Sequence, residues 1–168
     1  EITSAAEVEE DIREDTNGAI LITTVEISDA DVSASFRQNE VVIDPLSNGV
    51  DHFTVSKVDE THWNVLTDSN DFDREERDTF SLSLFARDAN DPSRRSEETV
   101  TVTVSITDVN DNRPQFEEDT IKLDLPEDTA SGTIVATLAA SDADEEGNDN
   151  SALTFSKKAG GDARVTVS

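Results

Sequence analysis

The chain has 168 residues and no cysteine, and its 39 acidic residues against 13 basic ones give a formal net charge of −26. This charge argues against nucleic acid as a partner, because phosphates must be neutralised by Lys and Arg, and equally against direct docking on anionic lipid. The lack of cysteine excludes disulfides, thiolate metal sites and a cysteine nucleophile. No apolar run approaches the ~20 residues that are needed to span a bilayer.

Short apolar and β-branched segments recur along the chain. Residues 20–27 and 133–140 follow glycine-containing turns, and residues 79–86 and 99–106 alternate apolar with polar side chains. A period of two predicts half-buried strands. The side chains expected to face the core from the two alternating segments are Phe80, Leu82, Leu84, Ala86, Val100, Val102, Val104 and Ile106.

The strand pattern predicts the fold class. Several short strands separated by Asp-Pro, Asn-Gly and Asn-Asp turns, with no convincing amphipathic helix, indicate an all-β antiparallel sandwich. Within it, Trp63 is expected to pack in the core or at a strand edge. His52 and His62 are expected to be hydrogen-bonded surface or strand histidines rather than ligands.

An internal repeat sets the domain organisation. Residues 12–31 read IREDTNGAILITTVEISDAD and residues 125–144 read LPEDTASGTIVATLAASDAD, so that EDT and SDAD recur at one offset of 113 residues. A fixed period of this kind indicates tandem structural units. We predict a first domain over residues 1–112, with a linker at 108–114, and the N-terminal half of a second domain over residues 115–168.

Acidic residues concentrate at the predicted domain boundary. Residues 108–114 read DVNDNRP and follow the most regular strand. Asn and Asp tolerate turn conformations, and Pro114 stiffens the exit. So many oxygen donors suit Ca²⁺, which takes six to eight oxygen ligands, although an ordinary polar linker is the alternative. In an antiparallel sandwich, Glu14 and the Asp73-Arg74-Glu75 triplet can share one end with this linker.

The combined pattern resembles the cadherin repeat family over essentially the whole chain. Its marks are the RED and PED segments, the Asp-Arg-Glu triplet, the FARD segment at 85–88, the DVNDNRPQF linker and the two SDAD segments. The resemblance implies tandem Greek-key β-sandwiches of the immunoglobulin-like cadherin type, the second of them incomplete. It also implies about three Ca²⁺ ions per complete junction, held by hard oxygen ligands.

The same resemblance implies the ligands of the inter-repeat calcium ions. The ligands from the first repeat and linker are the side chains of Glu14, Asp73, Glu75, Asp108, Asn110 and Asp111 and the backbone carbonyls of Val109 and Asn112. Those from the second repeat are Asp142, Asp144 and the carbonyl of Asn150, with one further aspartate expected beyond Ser168. Asp29, Asp31 and Asp88 would face a further junction on the N-terminal side, which is incomplete because no DxNDN segment precedes residue 1.

The resemblance also implies a function. We expect a cadherin ectodomain fragment that serves calcium-dependent cell–cell adhesion, with another cadherin ectodomain as its homophilic or heterophilic partner. The alternative is a non-adhesive spacer or force-bearing tether of a long ectodomain. Either role is extracellular, within a single-pass plasma-membrane protein whose membrane span lies outside this chain.

Other interpretations of the acidic residues fit less well. An EF-hand loop that begins at Asp142 would need a bidentate Glu at its twelfth position, where Leu153 stands, and no helices flank it. A glycosidase-like carboxylate pair is conceivable among so many acids, but Trp63 is the sole tryptophan and the chain has no tyrosine to form a sugar platform. With no Ser/His/Asp order and no phosphate loop, we do not expect an enzyme.

Overall fold

The computed structural model of the chain describes residues 2–3, 7–28, 38–69, 71–162 and 164–167, and their regular structure is all β apart from one short 3₁₀ helix, Val50–His52. No helix among these residues is long and apolar enough to cross a membrane. The chain divides into two compact units, Glu1–Val109 and Asn110–Ser168. The strands are β1 (Glu7–Arg13), β2 (Leu21–Glu26), β3 (Asn39–Ile43), β4 (Phe53–Lys57), β5 (His62–Thr67), β6 (Thr79–Asp88), β7 (Val100–Thr107), β8 (Gln115–Phe116) and β9 (Ala140–Ser141).

The first unit contains two sheets that enclose one hydrophobic core. One sheet has the strand order β1-β7-β6-β3 and the other has the order β2-β5-β4. Neighbouring strands are antiparallel, except that β1 runs parallel to β7 in a register from Glu7 opposite Thr101 to Arg13 opposite Thr107. The chain also links the two sheets near its start, because Ile2 bridges Ile27 at the end of β2 before β1 joins β7.

The core confirms the alternation predicted for β6 and β7. All eight side chains that were expected to face inward are buried, and Val25 of β2 and Val65 of β5 are buried with them. Branched side chains pack well on a pleated surface, and each fully buried one contributes roughly 1.5–3 kcal/mol. The strand predicted at residues 20–27 is likewise confirmed as β2.

The connection from β3 to the 3₁₀ helix is fastened to β6 by side chains. Asn48 accepts a hydrogen bond from the backbone N–H group of Ser81, and Ser47 accepts one from that of Ser83. Gly49 then turns the chain with a φ of +75°, and a Cβ atom at this position would lie 2.1 Å from a ring carbon of Phe80. Both the backbone conformation and the close packing therefore require glycine.

The strand predicted at residues 133–140 is wrong for all but its last residue. Ala140 alone belongs to a strand, pairing with Phe116, and Ile134 is 85 % exposed. A strand forms when its backbone N–H and C=O groups find a neighbouring ladder. Among the described residues of the second unit, Gln115–Phe116 is the one partner that offers such a ladder.

The tryptophan and histidine predictions have mixed outcomes. Trp63 packs against the core, and His62 contacts Asp59 and Thr61 through Nδ1, as expected. The prediction for His52 is wrong: its ring packs 5.0 Å from that of Phe80, and its Nδ1 has no hydrogen-bond partner in the described part of the chain. The aromatic cluster that surrounds His52 comes from segments that are distant in sequence, so the local pattern did not indicate it.

Candidate metal site

Glu14 is the first component of the site and follows β1 directly. Its side chain is anchored by two backbone N–H groups, because one carboxylate oxygen accepts from Val109 and the other accepts from Arg74 at 2.9 Å. The parallel pairing of β1 with β7 brings the C-terminal ends of both strands to the same side of the sheet. The residue that follows β1 therefore lies beside the linker that follows β7. Glu14 is only 5 % exposed.

Three carboxylates meet at this end of the first unit. One oxygen from each of Glu14, Glu75 and Asp108 lies within 4.8 Å of the other two. Glu75 belongs to the turn that precedes β6, and Asp108 follows β7 directly, with a side chain that is 3 % exposed. The fold thus gathers acids from three separate loops.

The crowding of negative charge changes the acidity of Glu75. Burial raises the pKa of its carboxyl group, and the neighbouring charges of Glu14 and Asp108 raise it further. Both effects disfavour the ionised form, and a nearby cation would oppose them by favouring it. A basic side chain also reaches this group, since Nη1 of Arg74 lies 3.9 Å from Oδ1 of Asp108.

The second unit contains its own buried carboxylate, Asp144. Its Oδ1 accepts hydrogen bonds from the backbone N–H group of Asn112 at 3.1 Å and from the side chain of Asn112 at 3.0 Å. Its Oδ2 is buried and has no hydrogen-bond partner among the described residues, although Asp144 is only 2 % exposed. A buried carboxylate oxygen without a partner is costly. This oxygen is therefore suited to receive a hard cation.

The other predicted ligands that fall within the second unit, from the linker and from the second repeat, lie around Asp144 or pair with one another. Asp142 accepts a hydrogen bond from the backbone N–H group of Asp144, and the side chain of Asn110 donates to the carbonyl of Asn150 at 3.1 Å. The side chain of Asn112 also donates to Asp111. The six residues that each bond to another of the set are Asn110, Asp111, Asn112, Asp142, Asp144 and Asn150.

Two predicted ligands lie outside these groups. Asp73 is not one of the three clustered carboxylates. Its Oδ1 accepts from the backbone N–H group of Glu76 and so caps the turn before β6. Asp88 ends β6, at the far end of that strand from Glu75, and its Oδ1 accepts from the backbone of Asn90 at 2.8 Å. Asp29 and Asp31 lie outside the described residues.

Arg74 is the component of the site that the sequence interpretation missed. The Asp73-Arg74-Glu75 triplet was interpreted through its two acids alone. The available signal was a basic residue between two predicted acidic ligands. Nothing in the local pattern indicated that the Arg74 side chain would turn towards Asp108.

The two sheets of the first unit, with acids gathered where β1 and β7 end, define a β-sandwich repeat protein. The family model described as "Cadherin domain" matches residues 6–106. The chain therefore belongs to the cadherin family. A comparison with curated protein sequences finds no match.

Solved structures support the same assignment. The chain is similar to mouse cadherin-23 EC22-24 at 30 % identity and a TM-score of 0.72, with 88 % of this chain and 44 % of that one covered. It is similar to protocadherin gamma C5 EC1-3 at 26 % identity and a TM-score of 0.67, covering 88 % and 46 %. Protocadherin gammaB7 EC3-6, described as a cis-dimer structure, shares the fold at 20 % identity and a TM-score of 0.64, covering 89 % and 31 %. The chain thus spans less than half of each of these structures.

Proposed function

We propose that this chain is a segment of a cadherin ectodomain in which Ca²⁺ rigidifies the junction between two repeats and so supports calcium-dependent cell–cell adhesion. The observation that carries this proposal is the convergence of Glu14, Glu75 and Asp108. Two carboxylate charges roughly 4–5 Å apart repel each other by about 3–4 kcal/mol at an effective dielectric constant near 20. A bound cation would attract each carboxylate and so outweigh the repulsion among them.

The donor chemistry supports calcium. Carboxylate, amide and backbone oxygens are the ligands that Ca²⁺ prefers, and the chain has no cysteine to favour a softer metal. Glu14, Glu75 and Asp108 would hold the ion from the first unit, and Asp144 would do so from the second. Asp108 and Asn110 are two residues apart in the sequence, so the linker itself joins the two sets of proposed ligands. About three ions per junction are proposed from the family resemblance.

Under this proposal the chain acts without catalysis and outside the cell. Its partner is another cadherin ectodomain, and its membrane anchor is a single span elsewhere in the protein. The cis-dimer recorded for protocadherin gammaB7 EC3-6 supports a partner of this kind. A homophilic contact and a heterophilic one are both compatible with the proposed role.

A second candidate is a spacer or force-bearing tether that binds no partner through these repeats. It is favoured by the similarity to repeats numbered 22–24 of mouse cadherin-23, because such numbers imply a long ectodomain and a position far from its first repeat. In this role, calcium would set the stiffness of the junction and nothing else.

Calcium titration tests the shared part of both candidates. We expect Ca²⁺ to raise the thermal midpoint of the chain with an affinity of about 10⁻⁴–10⁻³ M or somewhat tighter, as for extracellular modules. Asp108→Asn and Asp144→Asn should weaken binding by at least about tenfold, because each removes a charged ligand. Asp51→Asn, in the 3₁₀ helix, makes the same change outside the predicted ligand set and should bind like the wild type. A thermal midpoint that does not change when calcium is added would refute the proposal.

Bead aggregation separates adhesion from spacing. Beads coated with the chain should aggregate in calcium and disperse when it is chelated, and beads coated with Asp108→Asn should aggregate less. If wild-type beads stay dispersed while calcium still raises the thermal midpoint, homophilic adhesion by this segment is excluded. The spacer role and a heterophilic partner then remain, and mixed beads that carry other cadherin ectodomains distinguish the two.

A further inference from the structure

Arg74 carries a positive charge into the carboxylate group of the first unit. Its guanidinium nitrogen Nη1 lies 3.9 Å from Oδ1 of Asp108, and the two side chains are 20 % and 3 % exposed. The backbone N–H group of Arg74 also donates to Glu14. Arg74 thus contacts two of the three clustered acids. A charged side chain with so little exposure is stabilised by a nearby opposite charge, and Asp108 provides one.

The positive charge of Arg74 already neutralises part of the negative charge of the three carboxylates. Three carboxylates and one guanidinium leave two net negative charges, which a single Ca²⁺ would neutralise. Without metal, the guanidinium offsets part of the mutual repulsion of the acids. With metal, the same guanidinium stands close to a second cation and repels it.

We propose that Arg74 is an internal counter-ion that partly replaces calcium in the metal-free protein and lowers the affinity of the site for calcium. This inference rests on the proposed function and deepens it, because it identifies a residue that tunes the same site. Arg74 stabilises the metal-free protein and destabilises the calcium-bound protein. It therefore reduces the gain in stability that calcium binding provides. An arginine that merely packed its stem, or that held Asp108 in place as a ligand, would not have this pair of effects.

Arg74→Met tests the proposal because methionine keeps much of the apolar stem and removes the charge. Methionine and lysine at this position both keep the backbone N–H group that donates to Glu14, so these substitutions isolate the side chain. In the full chain, we expect Arg74→Met to unfold at a lower temperature than the wild type in chelator. We also expect it to bind calcium at least about tenfold more tightly in calorimetric titration, because a like-charge repulsion in a water-like dielectric sets the lower limit of the effect. Arg74→Lys keeps the charge and should bind calcium within about threefold of the wild type.

Arg94→Met is the matched control. Arg94 is 75 % exposed and pairs with Asp91, so its substitution changes the net charge equally without touching the carboxylate group. It should alter calcium affinity by less than about twofold. An unchanged or weaker affinity in Arg74→Met would overturn the proposal. Equal tightening in Arg94→Met would overturn it as well, because the effect would then belong to net charge.

Two further measurements keep the test decisive. If the wild type binds no calcium, the proposed function fails, but unfolding in chelator still tests the counter-ion: Arg74→Met must be less stable than Arg94→Met. If Arg74→Met does not fold, the double variant Arg74→Met/Asp108→Asn takes its place. A counter-ion role predicts that the double variant folds, because the second substitution removes the charge that Arg74 balances. An unfolded double variant would contradict that role.

Discussion

Glu14 accepts a hydrogen bond from the backbone N–H group of Val109, 95 residues further along the chain. Its second oxygen accepts from the backbone of Arg74, 60 residues away. One buried carboxylate therefore ties the end of β1 to the turn before β6 and to the linker after β7. This anchoring is independent of any metal, so the structural role of Glu14 can be measured in chelator, apart from its role as a proposed ligand.

Glu14→Ala should lower the free energy of unfolding in chelator by about 2 kcal/mol, because two N–H groups lose a charged acceptor. Relief of the repulsion with Asp108 offsets part of a larger loss. Urea denaturation measures the change. Glu9→Ala, on the outer face of β1 opposite Thr103, is the control and should stay within about 0.5 kcal/mol of the wild type. Equal effects of the two substitutions would show that the anchor contributes no stability.

Glu75 should make the calcium-free protein less stable as the pH rises. Partial burial of this carboxyl group and the neighbouring charges of Glu14 and Asp108 raise its pKa above the ordinary value of 4.5, so folding favours its protonated form. The resulting stabilisation is fully present below the ordinary pKa and is lost as the pH rises through the raised one. Glu75→Gln is neutral throughout. The stability of the wild type relative to this variant, measured in chelator, should therefore fall across that window.

The contribution of Glu75 is read from the difference between the two proteins, since other acids titrate in both. Glu26→Gln, an exposed position on β2, provides the matched comparison and should show no such trend. A difference between wild type and Glu75→Gln that stays flat with pH would contradict the raised pKa. Calcium binding near the same pH should also release protons from the wild type, which titrations in buffers of different ionisation enthalpy detect.

Thr67 should be intolerant of valine despite the equal size of the two side chains. Its buried hydroxyl donates to the carbonyl of Gly18 at 2.7 Å and accepts from the N–H group of Ile20 at 2.8 Å. Thr67→Val removes both bonds and should cost about 2 kcal/mol of unfolding free energy. Thr101→Val, on the outer side of β7, should cost less than about 0.5 kcal/mol. If the two variants unfold at the same denaturant concentration, the hydroxyl bridge is not a stabilising contact.

Gly49 and Gly18 should separate backbone strain from packing. Both have positive φ angles, +75° and +86°, but a Cβ atom would collide with Phe80 only at Gly49, since nothing lies within 4 Å at Gly18. Gly18→Ala should cost about 1–2 kcal/mol from the left-handed backbone alone. Gly49→Ala should cost about 1–3 kcal/mol more, because Phe80 must move out of the core. Thermal unfolding of the two variants provides the comparison, and similar midpoints would refute the packing argument.

The strands that could be predicted from the sequence are those in which the pattern of apolar and polar residues matches the pattern of buried and exposed side chains. β6 and β7 alternate because one face of each is buried, and β2 combines branched residues with a glycine turn. β1 reads EVEEDIR, and Ile12 is its one buried side chain, so its acidic sequence conceals a strand that is held mainly by its ladder with β7. The prediction for residues 133–139 is wrong for the opposite reason: their apolar sequence suggests a strand, but the described residues provide no neighbouring strand with which they could pair.

The residues of the candidate site also fall into those that the sequence could predict and those that depend on tertiary packing. The internal repeat, the linker composition and the resemblance of the Asp-Arg-Glu triplet to the cadherin family pointed to Glu14, Asp108 and Glu75 as acids of interest, and the fold gathers these three. The capping role of Asp73 and the inward turn of Arg74 depend on how the turn before β6 packs, which no local pattern encodes. That these groups hold calcium remains a prediction for titration to decide.

The parallel pairing of β1 with β7 has a mechanical consequence. β1 begins the regular structure of the first unit and β7 ends it, and the two strands run side by side in the same direction over the whole length of β1. A pull on the two ends of this unit therefore drags the strands past each other along their common ladder. In this shearing geometry all the rungs carry load together, whereas a peeled edge would break them one after another. The order in which the strands are joined therefore makes the unit resist extension.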